Sequence, residues 1–174
     1  MKKIYILFLF ISFFTFAREL NWKNTADIEK LNNIAKVGDL IIYKPRKNNV
    51  TQLWGHVMFV TENNKIVDFP NMQFGLREFP FSFLTADNRE FILLRYKGIN
   101  DEIRKKLLDK IYTKYLYFSY FIFTPPNMTI GTTYCSHFIY NLYRDVVGDV
   151  IENNSNLIYP LDFLNSKYFK IVDF

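Results

Sequence analysis

The hydrophobic period of this chain changes once along its length, and that change restricts what it can fold into. Before about residue 96 the apolar runs are short, β-branched or aromatic, and bounded by turn residues: Leu40 to Tyr43, His56 to Thr61, Lys65 to Phe69 and Glu90 to Tyr96. After Asn100 apolar residues recur at helical spacing, first as Ile103, Leu107, Ile111 and Tyr115, then as Phe138, Ile139, Leu142, Tyr143 and Val146. Asn100 is a good N-cap with Asp101 and Glu102 behind it, and Gly148 closes the second helix. Pro160 starts a further short helical turn, and Tyr168 to Asp173 reads as a last strand. Strands grouped before helices exclude an alternating parallel architecture. They predict an α+β fold, an antiparallel sheet packed against a helical layer.

The first 17 residues stand apart. Met1-Lys2-Lys3 is a short basic start, Ile4 to Phe14 is apolar except for Ser12, and Ala17 is a small residue where a signal peptidase cuts. The stretch is shorter than the roughly 20 residues of a membrane span. It is expected to be a signal peptide, with an uncleaved anchor as the alternative, and the protein is expected in the periplasm, the cell envelope or the medium. The remainder, 18–174, has the size of one domain. Its basic residues are scattered, with 22 Lys and Arg against 17 Asp and Glu in the whole chain, so no phosphate-binding stripe points to nucleic acid. A monomer is expected. Aromatic residues make up 19% of the chain, enough for a large core and an apolar groove besides.

Cys135 is the only cysteine. It cannot form a disulfide within its own chain, and with two separated histidines it makes no ligand cluster, so no metal or other cofactor is implied. A lone cysteine is ordinarily a small buried hydrophobe. This one stands where a helical pattern begins, after Thr132-Thr133-Tyr134. Free backbone N–H groups and the positive end of the helix dipole favour the thiolate there. The base has two candidates. His137, two residues on along the same helix, points to the other side and is expected to be an ordinary helix-surface or packing histidine. His56 opens a strand after Trp54-Gly55, where an imidazole can emerge at the sheet's end.

Val37-Gly38-Asp39-Leu40, Gly55-His56-Val57, Val67-Asp68-Phe69 and Tyr134-Cys135-Ser136, in that order, resemble the circularly permuted NlpC-type papain-like cysteine hydrolases, in particular the YiiX/YebB-like group. Lecithin:retinol acyltransferase-like proteins share the histidine-first order. The likeness runs from about Val37 to Phe174 and includes Tyr159-Pro160-Leu161-Asp162-Phe163. It implies a catalytic Cys135 and His56 with Asp68 orienting the imidazole, the oxyanion held by N–H groups at the helix start, and Tyr134 and Ser136 beside the substrate. Asp39 is assigned to a structural turn. The implied substrate is a peptide of the cell wall or an acyl lipid, its amide or ester bond cleaved or its acyl group transferred. A non-catalytic module binding lipid or wall polymer in an aromatic groove is the competing expectation. Two features depart from the group: Tyr117-Phe118-Ser119 replaces its Tyr-Asp pair, and Phe121 to Thr133 is unusually apolar. That segment is either a loop packing its own phenylalanines or an acyl-binding, membrane-facing lip.

The Asp68 assignment depends on register. A two-residue turn at Asn63-Asn64 would set Asp68 opposite Phe59, facing away from His56. A three-residue loop, Glu62-Asn63-Asn64, sets it opposite Met58 and diagonal to His56 on one face. The longer loop is expected, with Asn64 in the left-handed conformation that asparagine tolerates.

Overall fold

The computed structural model describes residues 20–47, 53–128, 131–152 and 156–174. The expected signal peptide lies outside them. Eight strands and four α-helices are β1 (Asp39–Tyr43), β2 (His56–Val60), β3 (Lys65–Asp68), β4 (Arg77–Pro80), β5 (Phe91–Tyr96), β6 (Ser119–Tyr120), β7 (Thr132–Thr133) and β8 (Phe169–Ile171), with α1 (Ile28–Ile34), α2 (Asp101–Thr113), α3 (Cys135–Val147) and α4 (Pro160–Asn165). Six strands form one antiparallel sheet in the order β4-β3-β2-β1-β5-β8, and β6 pairs with β7 separately and in parallel. The fold is therefore α+β, as the change of period implies.

Period-two alternation divides the sheet between two cores. Leu40, Ile42, Val57, Phe59, Val67, Ile92 and Leu94 face Leu107 and Ile111 of α2, Phe138, Ile139, Leu142 and Tyr143 of α3, and Phe163 of α4. Ile41, Tyr43, Met58, Val60, Ile66 and Leu93 face Ile28 and Leu31 of α1 and Phe81 and Leu84 of a 3-10 segment. Each fully buried Leu, Ile or Phe contributes about 1.5–3 kcal/mol, so both layers are needed to hold a sheet whose β1 is buried along its whole length. The second layer is absent from the sequence expectation, and so is β4.

Local signals explain the helix ends. The Asn100 side chain accepts from Ile103 N–H at 2.9 Å, and Gly148 ends α3 at φ 89°. Asp39 is structural, as expected: Arg95 donates to both its carboxylate oxygens at 2.7 Å, and Lys36 N–H donates to Oδ2 at 2.8 Å. The Tyr143 hydroxyl donates to the Gly38 carbonyl, tying α3 to the turn before β1.

Candidate active site

His56 is the first residue of β2, across from Tyr43 at one end of the sheet. Gly55 before it takes φ 78°, and a Cβ there would lie 2.5 Å from the Tyr43 carbonyl oxygen. Only glycine fits a turn that brings the chain so close to β1 before the imidazole projects.

Asp68 reaches His56 through the hairpin. β2 and β3 pair as Phe59 with Val67 and Val60 with Ile66, and Thr61 N–H donates to the Lys65 carbonyl at 2.9 Å. That is the longer loop, with both Asn63 (φ 55°) and Asn64 (φ 58°) left-handed. Continuing the register sets Asp68 across from Met58 and diagonal to His56, and His56 Nε2 lies 2.6 Å from Asp68 Oδ2. Asp68 is buried, and its second carboxylate oxygen has no hydrogen-bond partner among the described residues.

Cys135 is the first residue of α3 and nearly buried, with a β-region Tyr134 as N-cap. Its thiol is near enough to His56 to act on the charge of the imidazole. With Nε2 on Asp68, the other ring nitrogen is left for the sulfur. Burial works against a charged His56, but Asp68 and then Cys135 outweigh it and raise its pKa well above the ordinary value. Both neighbours thus favour the charged imidazole. Chain segments far apart in sequence converge here because α3 packs on β2.

His137 does not join them. It is fully buried, with Nδ1 2.9 Å from Thr133 Oγ1 and Nε2 2.8 Å from Asn141 Nδ2, and its ring stacks on Tyr134. Burial lowers its pKa to about 4. It is a packing histidine that binds β7 to α3.

Tyr134 and Ser136, expected beside the substrate, both line the cleft, and their hydroxyls make a structural contact there. Tyr134 Oη accepts from Ile158 N–H at 2.9 Å, and Ser136 Oγ donates to the Ile158 carbonyl at 2.7 Å. The residues on either side of Cys135 therefore clamp both backbone polar groups of Ile158, a wall of the cleft. Both hydroxyls are committed to this contact because their partner would otherwise be a buried, unpaired peptide group.

No sequence pattern singles out Tyr120, yet it faces the site. Ser119 and Phe121 on either side are exposed, while Tyr120 and Ile122 turn inward and line the cleft. The β6–β7 ladder pairs Tyr120 with Thr133, and Phe121 N–H donates to the Thr133 carbonyl at 2.7 Å. Burial first, then Cys135 and Asp68, push its pKa up to about 12, so its hydroxyl remains a donor. The cleft has a volume of about 630 Å³, and Trp54, Ile122, Phe123, Leu157 and Tyr159 make much of its wall apolar.

No protein-family model and no curated protein matches the chain. The structure is similar to the crystal structure of metalloprotein YiiX from Escherichia coli O157:H7, with a TM-score of 0.62 and 17% sequence identity over 79% of this chain and 96% of that one. At that identity the likeness concerns the fold, which is YiiX-like. Among the described residues no group of three or more His, Cys, Asp or Glu side chains could hold a metal ion. The donor set here does not fit a metal. No helix among the described residues is long and apolar enough to cross a membrane.

Proposed function

We propose that this protein is an exported thiol hydrolase or acyltransferase of the permuted papain-like kind, acting on the amide or ester bond of an apolar acyl substrate in the cell envelope. One observation carries the reading: a single imidazole held between a buried carboxylate at 2.6 Å and the chain's only thiol, at the mouth of an aromatic cleft. A histidine kept only for packing needs no acidic group on both sides. His137, in the same protein, has none.

In this reading the Cys135 sulfur attacks the substrate carbonyl and forms a C–S bond as the carbonyl π electrons move to oxygen. The first N–H groups of α3 have no partner within the helix and are available to that oxyanion. Tyr120 adds a hydroxyl donor from the opposite wall. Collapse of the intermediate breaks the bond to the leaving amine or alcohol, which takes the proton from His56. Water, or an acceptor alcohol, then gives its proton to His56 and attacks the thioester, returning the sulfur. Asp68 fixes the imidazole so that the same nitrogen faces the sulfur throughout. The apolar wall favours an acyl chain over a hydrophilic stem peptide.

The test is a panel of acyl esters, acyl amides and peptidoglycan fragments, with intact mass measured during turnover. Turnover with an acyl adduct on Cys135, lost in Cys135→Ala, is expected. Iodoacetamide should alkylate Cys135 fast in the wild type and slowly in His56→Ala. No turnover of any substrate, together with alkylation unchanged by His56→Ala, would leave the non-catalytic binding module as the better reading.

A further inference from the structure

From the surface around the cleft we infer that its mouth docks on an anionic lipid–water interface. Met72 is 75% exposed, Phe123 68%, Trp54 49% and Phe121 47%. Single exposed apolar residues are common on any surface. These are different because they gather around one opening: Trp54, Met72 and Phe123 line the cleft as well as its rim, and Phe121 packs its ring against Phe123 at 5.9 Å. They come from three separate segments, the loops before β2, after β3 and between β6 and β7, which the fold brings to one end of the sheet. A large apolar rim of this kind marks an interaction surface.

Charge identifies the occupant. The sequence from Pro45 to Gly55, from Pro70 to Leu76 and from Phe118 to Thr133 contains no Asp or Glu, although the chain has 17. The first of these segments carries Arg46 and Lys47 after Pro45, both exposed, with Arg46 also donating to the Asn88 carbonyl, and Arg77 comes directly after the second with its guanidinium over the Phe74 ring. These three segments, with apolar tips, cations at their ends and no anions, complement an anionic bilayer, where Trp and Phe settle at headgroup depth and Lys and Arg meet lipid phosphates. A protein seated here would seal the nucleophile off. A bilayer leaves the mouth open and can release an acyl chain into it. That last consequence rests on the proposed function, whereas the docking does not.

The experiment uses the full chain with Trp22→Phe, which leaves Trp54 as the only indole, and vesicles of phosphatidylcholine and phosphatidylglycerol with brominated acyl chains. Brominated lipid should quench Trp54, and omitting phosphatidylglycerol or adding salt should weaken the effect. Met72→Ser together with Phe123→Ser, both at exposed positions, should reduce partitioning about tenfold or more while leaving the circular dichroism spectrum unchanged. Quenching that persists in Cys135→Ala separates docking from catalysis. Vesicle binding without quenching, as attachment through Ile4 to Phe14 alone would give, overturns the inference. So does a sedimentation result in which a second copy, and not lipid, covers Trp54.

Discussion

Replacing His137 by glutamine tests how α3 is anchored, because His137 joins Thr133 of β7 to Asn141 of α3 without any solvent exposure. Asn141 Nδ2 donates to Nε2, so the neutral ring carries its proton on Nδ1 and gives it to Thr133 Oγ1. A second proton would have to enter at Nε2, against an amide donor in a dry site. Burial, with added repulsion from Arg144, lowers the pKa from 6.5 to about 4. The folded protein thus prefers the neutral ring, and the unfolded chain takes up the proton first as pH falls. The corresponding stability is present above pH 6.5 and is lost as pH falls towards 4. Between pH 7 and pH 5 the loss is about 2 kcal/mol, from the ratio of the two protonation equilibria. Urea unfolding at both pH values reads it. The wild type should lose about 2 kcal/mol more than His137→Gln, which can still hydrogen-bond but does not titrate. His56 titrates in the opposite sense, since its raised folded pKa gives stability below 6.5 that is lost only at high pH. That contribution is common to both proteins and cancels. Equal losses in the two would show that His137 is solvated or charged in the folded state, and the anchor would have to be abandoned.

Three further outcomes are expected. Tyr120→Phe should lower kcat about a hundredfold with KM little changed, the loss for one oxyanion donor; an unchanged kcat removes Tyr120 from the mechanism. Asp68→Ala should lower kcat/KM by about 10² to 10⁴ and move the alkaline limb of its pH profile to lower pH, because the carboxylate that raises the His56 pKa is gone; an unmoved limb would mean that Asp68 does not hold the imidazole in solution. Asp39→Ala should cost about 3 kcal/mol in urea unfolding by leaving Arg95 without its counter-ion in a half-buried site, with only the Ile34 carbonyl to accept from it, and alkylation of Cys135 should be unaffected; a cost near zero would put the pair in water.

The parts of the site legible in the sequence are those set by local chemistry. The approach of Asp68 to His56 follows from two asparagines that accept positive φ, and the Cys135 position follows from an apolar stripe that starts beside it. The contacts that stayed hidden depend on partners distant in sequence. Ser136 meets Ile158 22 positions away, and Tyr120 is aimed by a two-residue parallel ladder too short to leave any periodicity. The α1 layer is another case, because its signal was present: Asn24 caps Ala26 at 2.8 Å, and Ile28 and Leu31 share a face. Over a segment this short those cues do not outweigh the surrounding polar residues, and the second buried face of β1 is what makes them decisive.

These hidden contacts share a direction, which bears on how the site keeps its geometry. From the first two turns of α3 and its N-cap, Tyr134 and Ser136 hold Ile158 on one wall of the cleft, while His137 and Asn141 hold Thr133, and through it Tyr120, on the other. The cysteine between them makes only a distant contact with its neighbour, Sγ to Ser136 Oγ at 4.0 Å. The polar side chains around Cys135 are thus committed to the two walls, and its thiol is left to His56. A shift of α3 would move both walls with it, so cleft and thiol stay in register as one body. This is the arrangement expected where displacements of about 1 Å cost large factors in rate.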